Sequence, residues 1–190
     1  MAKKRGSKSK FLEFTRTVKQ NQFRYLYIRN KLAKLKEEGI DLSTQGYLGQ
    51  TLLHIAVKLR NLKLLNIFIK AGVNLDVANE MGETPLHLAV MNNEIKLCKA
   101  LIENGCDINI GGELEQTPLH MAVINGNLEM VKFLINSGAD YMLMDEKNNL
   151  PIDYAIDEGD VEIIKYFLTI QEVSDERMEK INKILEAKQV

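Results

Sequence analysis

One period governs this chain. The stretches GQTLLHIAV (49–57), GETPLHLAV (82–90) and EQTPLHMAV (115–123) are variants of a single phrase. Thr51, Thr84 and Thr117 stand 33 residues apart, and the next step lands on Leu150, which opens the degenerate copy LPIDYA. Gly39, Gly72, Gly105 and Gly138 keep the same interval. Repeats of this length are single supersecondary units that cannot bury an apolar face alone. Neighbouring copies must therefore stack.

Each copy carries the signals of two helices. Thr84–Pro85 and Thr117–Pro118 read as a helix N-cap followed by proline at the first helical position. The threonine oxygen accepts an orphan backbone N–H there, and proline loses nothing by lacking one. Leu150 cannot cap in this way, so its helix is expected to start less firmly, with Asp153 helping through the helix dipole. The four glycines follow apolar periodic stretches and suit the left-handed conformation that ends many helices.

The core repeats as well. Leu53, Leu86, Leu119 and Ile152 form one row, and Ala56, Ala89, Ala122 and Ala155 form a second, small enough for close helix approach. In the second helix, Leu64, Leu97, Met130 and Ile163 are followed by Leu65, Cys98, Val131 and Ile164. Phe68, Leu101, Leu134 and Phe167 then complete a wide buried stripe.

The phrase, the helical stretch after it and a corner such as LIENGCDIN resemble the ankyrin repeat, most closely in QTPLHMAVINGNLEMVKFLINSGAD. The likeness is good over residues 46–173 and weak over 11–45. It implies an all-α solenoid of antiparallel helix pairs joined by short, outward-pointing β-turns. The expected organisation is a basic flexible tail at 1–10, then N-terminal capping helices or a divergent repeat at 11–45. Four repeats follow at 46–78, 79–111, 112–144 and 145–173, then a C-terminal capping helix at 174–190. Phe11, Phe14, Val18, Tyr25, Ile28, Leu32 and Leu35 supply the first cap, and Met178, Ile181, Ile184 and Leu185 the last.

Charge divides the chain. Residues 1–36 hold 12 Lys/Arg against the single acid Glu13, a net of +11, and the remainder carries −12. An acidic body repels phosphates and argues against general nucleic-acid binding there. The basic segment leaves nucleic acid or an anionic membrane open as a partner through residues 3–36. No apolar run approaches the ~20 residues of a membrane span. The two cysteines, Cys98 and Cys106, suit a reducing compartment. A cytoplasmic location is expected, with the nucleus or export into a host cell still open, and a monomer is expected.

No catalytic, cofactor or metal site is read from the chain. All three histidines, His54, His87 and His120, fall in the repeated phrase. Equivalent positions in stacked helices lie roughly 8–10 Å apart, too far to share a zinc ion bound at about 2 Å. The resemblance makes each a structural bolt on its threonine and nearby backbone. Cys98 takes a core register, and Cys106 follows a helix-ending glycine. DEGD at 157–160 reads as a solvated face, and KKRGSKSK as either an import or phosphate-binding patch or a solvated tail.

The function implied is a non-catalytic protein–protein interaction module acting as scaffold, inhibitor or recruiter. Partners of the family meet the concave face, at the turn tips and the exposed side of each first helix. Carried over, these positions include Tyr47, Leu48, Glu80, Met81, Glu83, Leu114 and Gln116 at the tips. On the helices they are Leu59, Met91, Asn92, Ile124, Asn125, Asp157 and Glu158. Apolar residues where exposure is expected, rimmed by acids, point to an apolar partner segment with basic flanks. The alternative occupant is the N-terminal cap or the chain's own tail.

Overall fold

Every threonine of the repeated phrase begins a helix. The computed structural model describes residues 2–21 and 23–188. Thr51, Thr84 and Thr117 each accept the backbone N–H three residues on, at 3.5, 3.4 and 3.5 Å. Helices α3 (Leu52–Lys58), α5 (Pro85–Met91) and α7 (Pro118–Ile124) start there. Leu150 has no such oxygen, and the bond is made in the opposite sense. Its own N–H donates to Asp153 Oδ2 at 2.8 Å, fixing the start of α9 (Pro151–Glu158). Asp153 thus acts by direct contact and not through the dipole alone.

The second helices are capped by a further residue at the same interval. Asn61, Asn127 and Asp160 accept from the third N–H of α4 (Leu62–Lys70), α8 (Leu128–Asn136) and α10 (Val161–Leu168), at 3.0, 3.0 and 3.1 Å. Glu94, before α6 (Ile95–Glu103), makes no side-chain cap. After each second-helix corner, Gly39, Gly72, Gly105 and Gly138 take φ of +70° to +97°, as their register requires.

The chain divides into two compact units, residues 1–107 and 108–190. Both are wholly helical, with no strand among the described residues. In the first unit α3 packs on α4 and α5 on α6, while α3 stacks on α5 and α4 on α6. An N-terminal pair, α1 (Ala2–Gln20) and α2 (Tyr25–Glu37), stacks on α3 and α4 in the same sense. Phe11, Phe14, Val18 and Ile28 are fully buried in that pair. The flexible tail expected at 1–10 is helical from Ala2 onward. Ala, Lys and Arg are good helix formers, and a helix nucleated on Phe11 and Phe14 propagates through them against the weaker formers Gly6, Ser7 and Ser9.

In the second unit α7 pairs with α8 and α9 with α10, and α7 stacks on α9. A terminal helix, α11 (Asp175–Ala187), packs on α9 and α10 and buries Ile181 completely. Met178, Ile184 and Leu185 are half-buried beside it. The first residue of the expected tail and the last two of the expected C-terminal cap lie outside the described residues.

Candidate functional site

The histidines are bolts, and their chemistry is fixed by their partners. Thr51 N–H points at His54 Nδ1 at 3.2 Å, and a peptide N–H can only donate. The ring's other nitrogen, Nε2, lies 2.9 Å from the Glu83 carbonyl, which can only accept. His54 is therefore neutral, with its proton on Nε2. His120 repeats this between Thr117 N–H (3.1 Å) and the Asn149 carbonyl (3.1 Å). Burial pushes the pKa of both rings below the ordinary histidine range. His87 Nδ1 likewise accepts Thr84 N–H at 3.2 Å and lies 2.9 Å from the Thr84 hydroxyl oxygen. Held at both ring nitrogens, His54 and His120 are structural, as the resemblance implied.

His54 and His120 each reach the next turn tip, and the tips come in two kinds. At Asn79 and Asp145 the side chain closes the loop. Asn79 Oδ1 accepts from Met81 and Glu83 N–H at 2.8 and 3.0 Å. Asp145 Oδ1 accepts from Lys147 and Asn149 N–H at the same distances. At the equivalent positions 46 and 112 stands glycine, and a short 3₁₀ turn follows at Tyr47–Gly49 and Glu113–Glu115. There Leu48 and Leu114 both adopt φ of +56°. Each hands its carbonyl to the following tip: Glu80 N–H to Leu48 at 3.2 Å, and Glu146 N–H to Leu114 at 3.0 Å. Gly49 lies so close that a Cβ there would meet Glu80 N at 2.6 Å.

A side-chain ladder runs below the tips. Ser43 Oγ accepts Asn74 N–H (2.9 Å), Asp76 Oδ1 accepts Asp107 N–H (3.0 Å), and Asn109 Oδ1 accepts Asp140 N–H (2.9 Å). These acceptors share the 33-residue register, yet their varied residue types hid them from motif reading.

Most positions expected to face a partner do face outward. In the first unit Tyr47 is 78 % exposed, Met81 60 %, Leu48 45 % and Met91 44 %. Glu80 is exposed, while Leu59 and Asn92 are half-buried. In the second unit Leu114 and Ile124 are about 40 % exposed, and Asn125, Asp157 and Glu158 are open to solvent. Two expectations need correction. Glu83 is buried: its Oε2 accepts from Asn79 Nδ2 at 2.7 Å, and its carbonyl serves His54. Gln116 is half-buried, and its amide donates to the Tyr154 hydroxyl at 2.8 Å. The closed tip at Asn79 draws Glu83 inward, and Tyr154 of α9 holds Gln116.

The N-terminal pair changes the charge around the first tip. Lys8, Arg16 and Lys19 of α1 line a recess of about 600 Å³ with Tyr47, Leu48 and Glu80. The cap therefore adds a basic wall beside Tyr47 and Leu48, which stay exposed. Asp157 and Glu158 instead occupy the last turn of α9, where a carboxylate opposes the helix dipole.

Both cysteine thiols are pushed above their ordinary range. Burial pushes the Cys98 thiol up to about 12. Burial, with the Asp76 and Asp107 charges, does the same for Cys106. Alkylation needs the thiolate. Iodoacetamide near neutral pH is thus expected to leave both unmodified by mass spectrometry, and to label both once guanidinium unfolds the chain. Labelling of Cys98 in the folded chain would contradict this.

Among the described residues no three His, Cys, Asp or Glu side chains converge as a metal site. No described helix is long and apolar enough to cross a membrane. No curated protein matches the chain. The family described as ankyrin repeats (3 copies) matches residues 22–112, and that described as ankyrin repeats (many copies) matches residues 101–155. Such repeats are generally protein–protein interaction modules. With threonine caps, histidine bolts and stacked helix pairs in both units, the chain belongs to the ankyrin repeat family.

Proposed function

We propose that this protein is a non-catalytic recognition module that binds another protein through its turn tips and the adjoining ends of its first helices. One observation carries the reading. Leu48 and Leu114 are exposed and sit in left-handed backbone. That conformation costs an ordinary residue roughly 1–2 kcal/mol. Backbone preference does not favour leucine there, and more than 40 % of each residue stays in water. Strain kept at an exposed apolar side chain fits a contact with something outside the chain.

The two units favour different partner chemistry. Beside Leu114 and Ile124 the acids are Glu113, Asp157 and Glu158, which suit an apolar segment with basic flanks. Beside Tyr47 and Leu48, the basic wall of α1 suits an acidic flank instead. The expectation of basic flanks throughout is therefore narrowed to the second unit.

The test is the pair Leu48→Asn and Leu114→Asn. Asparagine tolerates left-handed backbone, so unfolding free energy is expected to stay level or rise by about 1 kcal/mol. Partners captured by affinity purification are expected to be lost. Unchanged capture by the folded variant would refute the reading. A companion variant, Leu59→Asp, Met91→Asp and Ile124→Asp, is expected to lose the same partners through the helix ends.

A second reading is favoured by the exposed cations of α1 and α2. Residues 3–36 would tether the protein to nucleic acid or an anionic membrane while the repeats hold a partner.

A further inference from the structure

Helix α2 has two apolar faces where packing needs one. Ile28, Leu32 and Leu35 point into the first unit and are buried. At the helix start, Phe23, Leu26 and Tyr27 point the other way, 74 %, 70 % and 43 % exposed. Phe23 precedes the helix, and it lines one shallow recess with Leu26 and Tyr27 of the first turn.

The surroundings of this apolar tip are uniformly basic. Arg24 lies over the Tyr27 ring at 5.3 Å, and Arg29 follows two residues after Tyr27. A groove of about 630 Å³ between α2 and α4 adjoins the tip through Tyr25 and Asn30. Arg29, Lys36, Lys63 and Lys70 line it, and no carboxylate does. Lys63 lies over the Tyr25 ring at 5.6 Å. Of the acids in the N-terminal pair, Glu38 is engaged by Lys10 at 2.7 Å and Glu13 by Lys31 at 3.5 Å, and Glu37 stands at the far end of α2 from the tip.

From this juxtaposition we propose that the α1–α2 tip docks on an anionic lipid bilayer, with Phe23, Leu26 and Tyr27 entering the interface and Arg24, Arg29 and Lys63 meeting lipid phosphates. The proposal rests on the tether reading and deepens it by committing to a membrane. A bilayer interface satisfies both halves of the surface, since it takes up apolar and aromatic side chains and attracts cations to its headgroups. Nucleic acid would use the cations and could stack on Phe23, but it would leave Leu26 in water. An acidic segment without apolar residues would leave the exposed Phe23 and Leu26 in water.

The experiment is co-sedimentation of the full chain at about 0.15 M salt. One set of vesicles is phosphatidylcholine alone, and the other contains about one-third phosphatidylserine. Duplex DNA and poly-glutamate are assayed in parallel. Wild type is expected to bind the phosphatidylserine vesicles and not the neutral ones. The variant Phe23→Ser, Leu26→Ser, Tyr27→Ser is expected to bind them at least tenfold more weakly, while its unfolding midpoint stays unchanged because those side chains are exposed. Arg24→Glu with Arg29→Glu is expected to lose at least as much. Equal vesicle binding by the serine variant would overturn the apolar tip and leave the tether standing. Binding of wild type to DNA or poly-glutamate but not to vesicles would overturn the choice of a membrane. Binding to none of the probes would remove the tether as well.

Discussion

Replacing His54 with alanine is expected to cost about 3 kcal/mol of unfolding free energy and roughly 10 °C in Tm. The ring is fully buried, so its removal leaves a cavity in the first unit. It also strands the Thr51 N–H at the start of α3. The Glu83 carbonyl is less exposed to loss, because the Asn79 N–H also serves it at 2.8 Å. His54→Phe separates the two costs. It refills the volume but leaves Thr51 N–H unsatisfied, so about half the loss should remain. His120→Ala is expected to behave alike in the second unit. Chemical denaturation measures all three. A His54→Phe chain as stable as wild type would show that the hydrogen bonds contribute nothing.

The same rings set an acid limit. His54 and His120 titrate lower in the folded chain than when unfolded, because burial penalises the imidazolium. The unfolded chain therefore binds more protons, and stability falls as pH drops below about 6.5. At Asp145, burial raises the carboxyl, but the Tyr154 hydroxyl and two backbone N–H groups outweigh it and hold it below the usual range. Its contribution is present above about pH 4 and lost as pH falls further. Unfolding midpoints that stay flat between pH 7 and pH 5 would contradict the histidine part.

Arg177→Ala is expected to cost about 2 kcal/mol and to loosen α11 selectively. Its guanidinium grips Asp153 with two bonds, at 2.6 and 2.8 Å, while the same carboxylate holds the Leu150 N–H. Burial would raise the Asp153 carboxyl, yet Arg177 and that N–H keep it low. Asp153→Ala removes cap and ion pair together, about 2–3 kcal/mol. The double variant should cost less than the sum, with a coupling of roughly 1–2 kcal/mol. Hydrogen exchange should show α11 losing protection first. Additive single effects would mean that the pair does not act as a unit.

What was legible beforehand followed from register. The threonine caps, histidine bolts and corner glycines are local and recur, so each copy confirms the others. Exposure of Tyr47, Leu48, Met81 and Met91 follows from the same register. Glu83 was misread because Asn79, four residues earlier, claims it only when the tip is closed. The Arg177–Asp153 pair joins residues 24 apart across an aperiodic boundary. Phe23, Leu26 and Tyr27 were invisible as a surface for a related reason. Without a repeat to set the inward direction of α2, its two apolar faces read as one amphipathic stripe.

The alternation of turn tips gives the chain a second and longer rhythm. Glycine at 46 and 112 and an amide or carboxylate at 79 and 145 recur every 66 residues. A left-handed leucine always precedes the tip that takes its carbonyl. Duplications or deletions of 66 residues would preserve these couples. A 33-residue edit, although it keeps every helix in frame, would set like beside like and leave one leucine with no matched successor. For lengthening or trimming this scaffold, the natural building block is therefore a doublet of repeats.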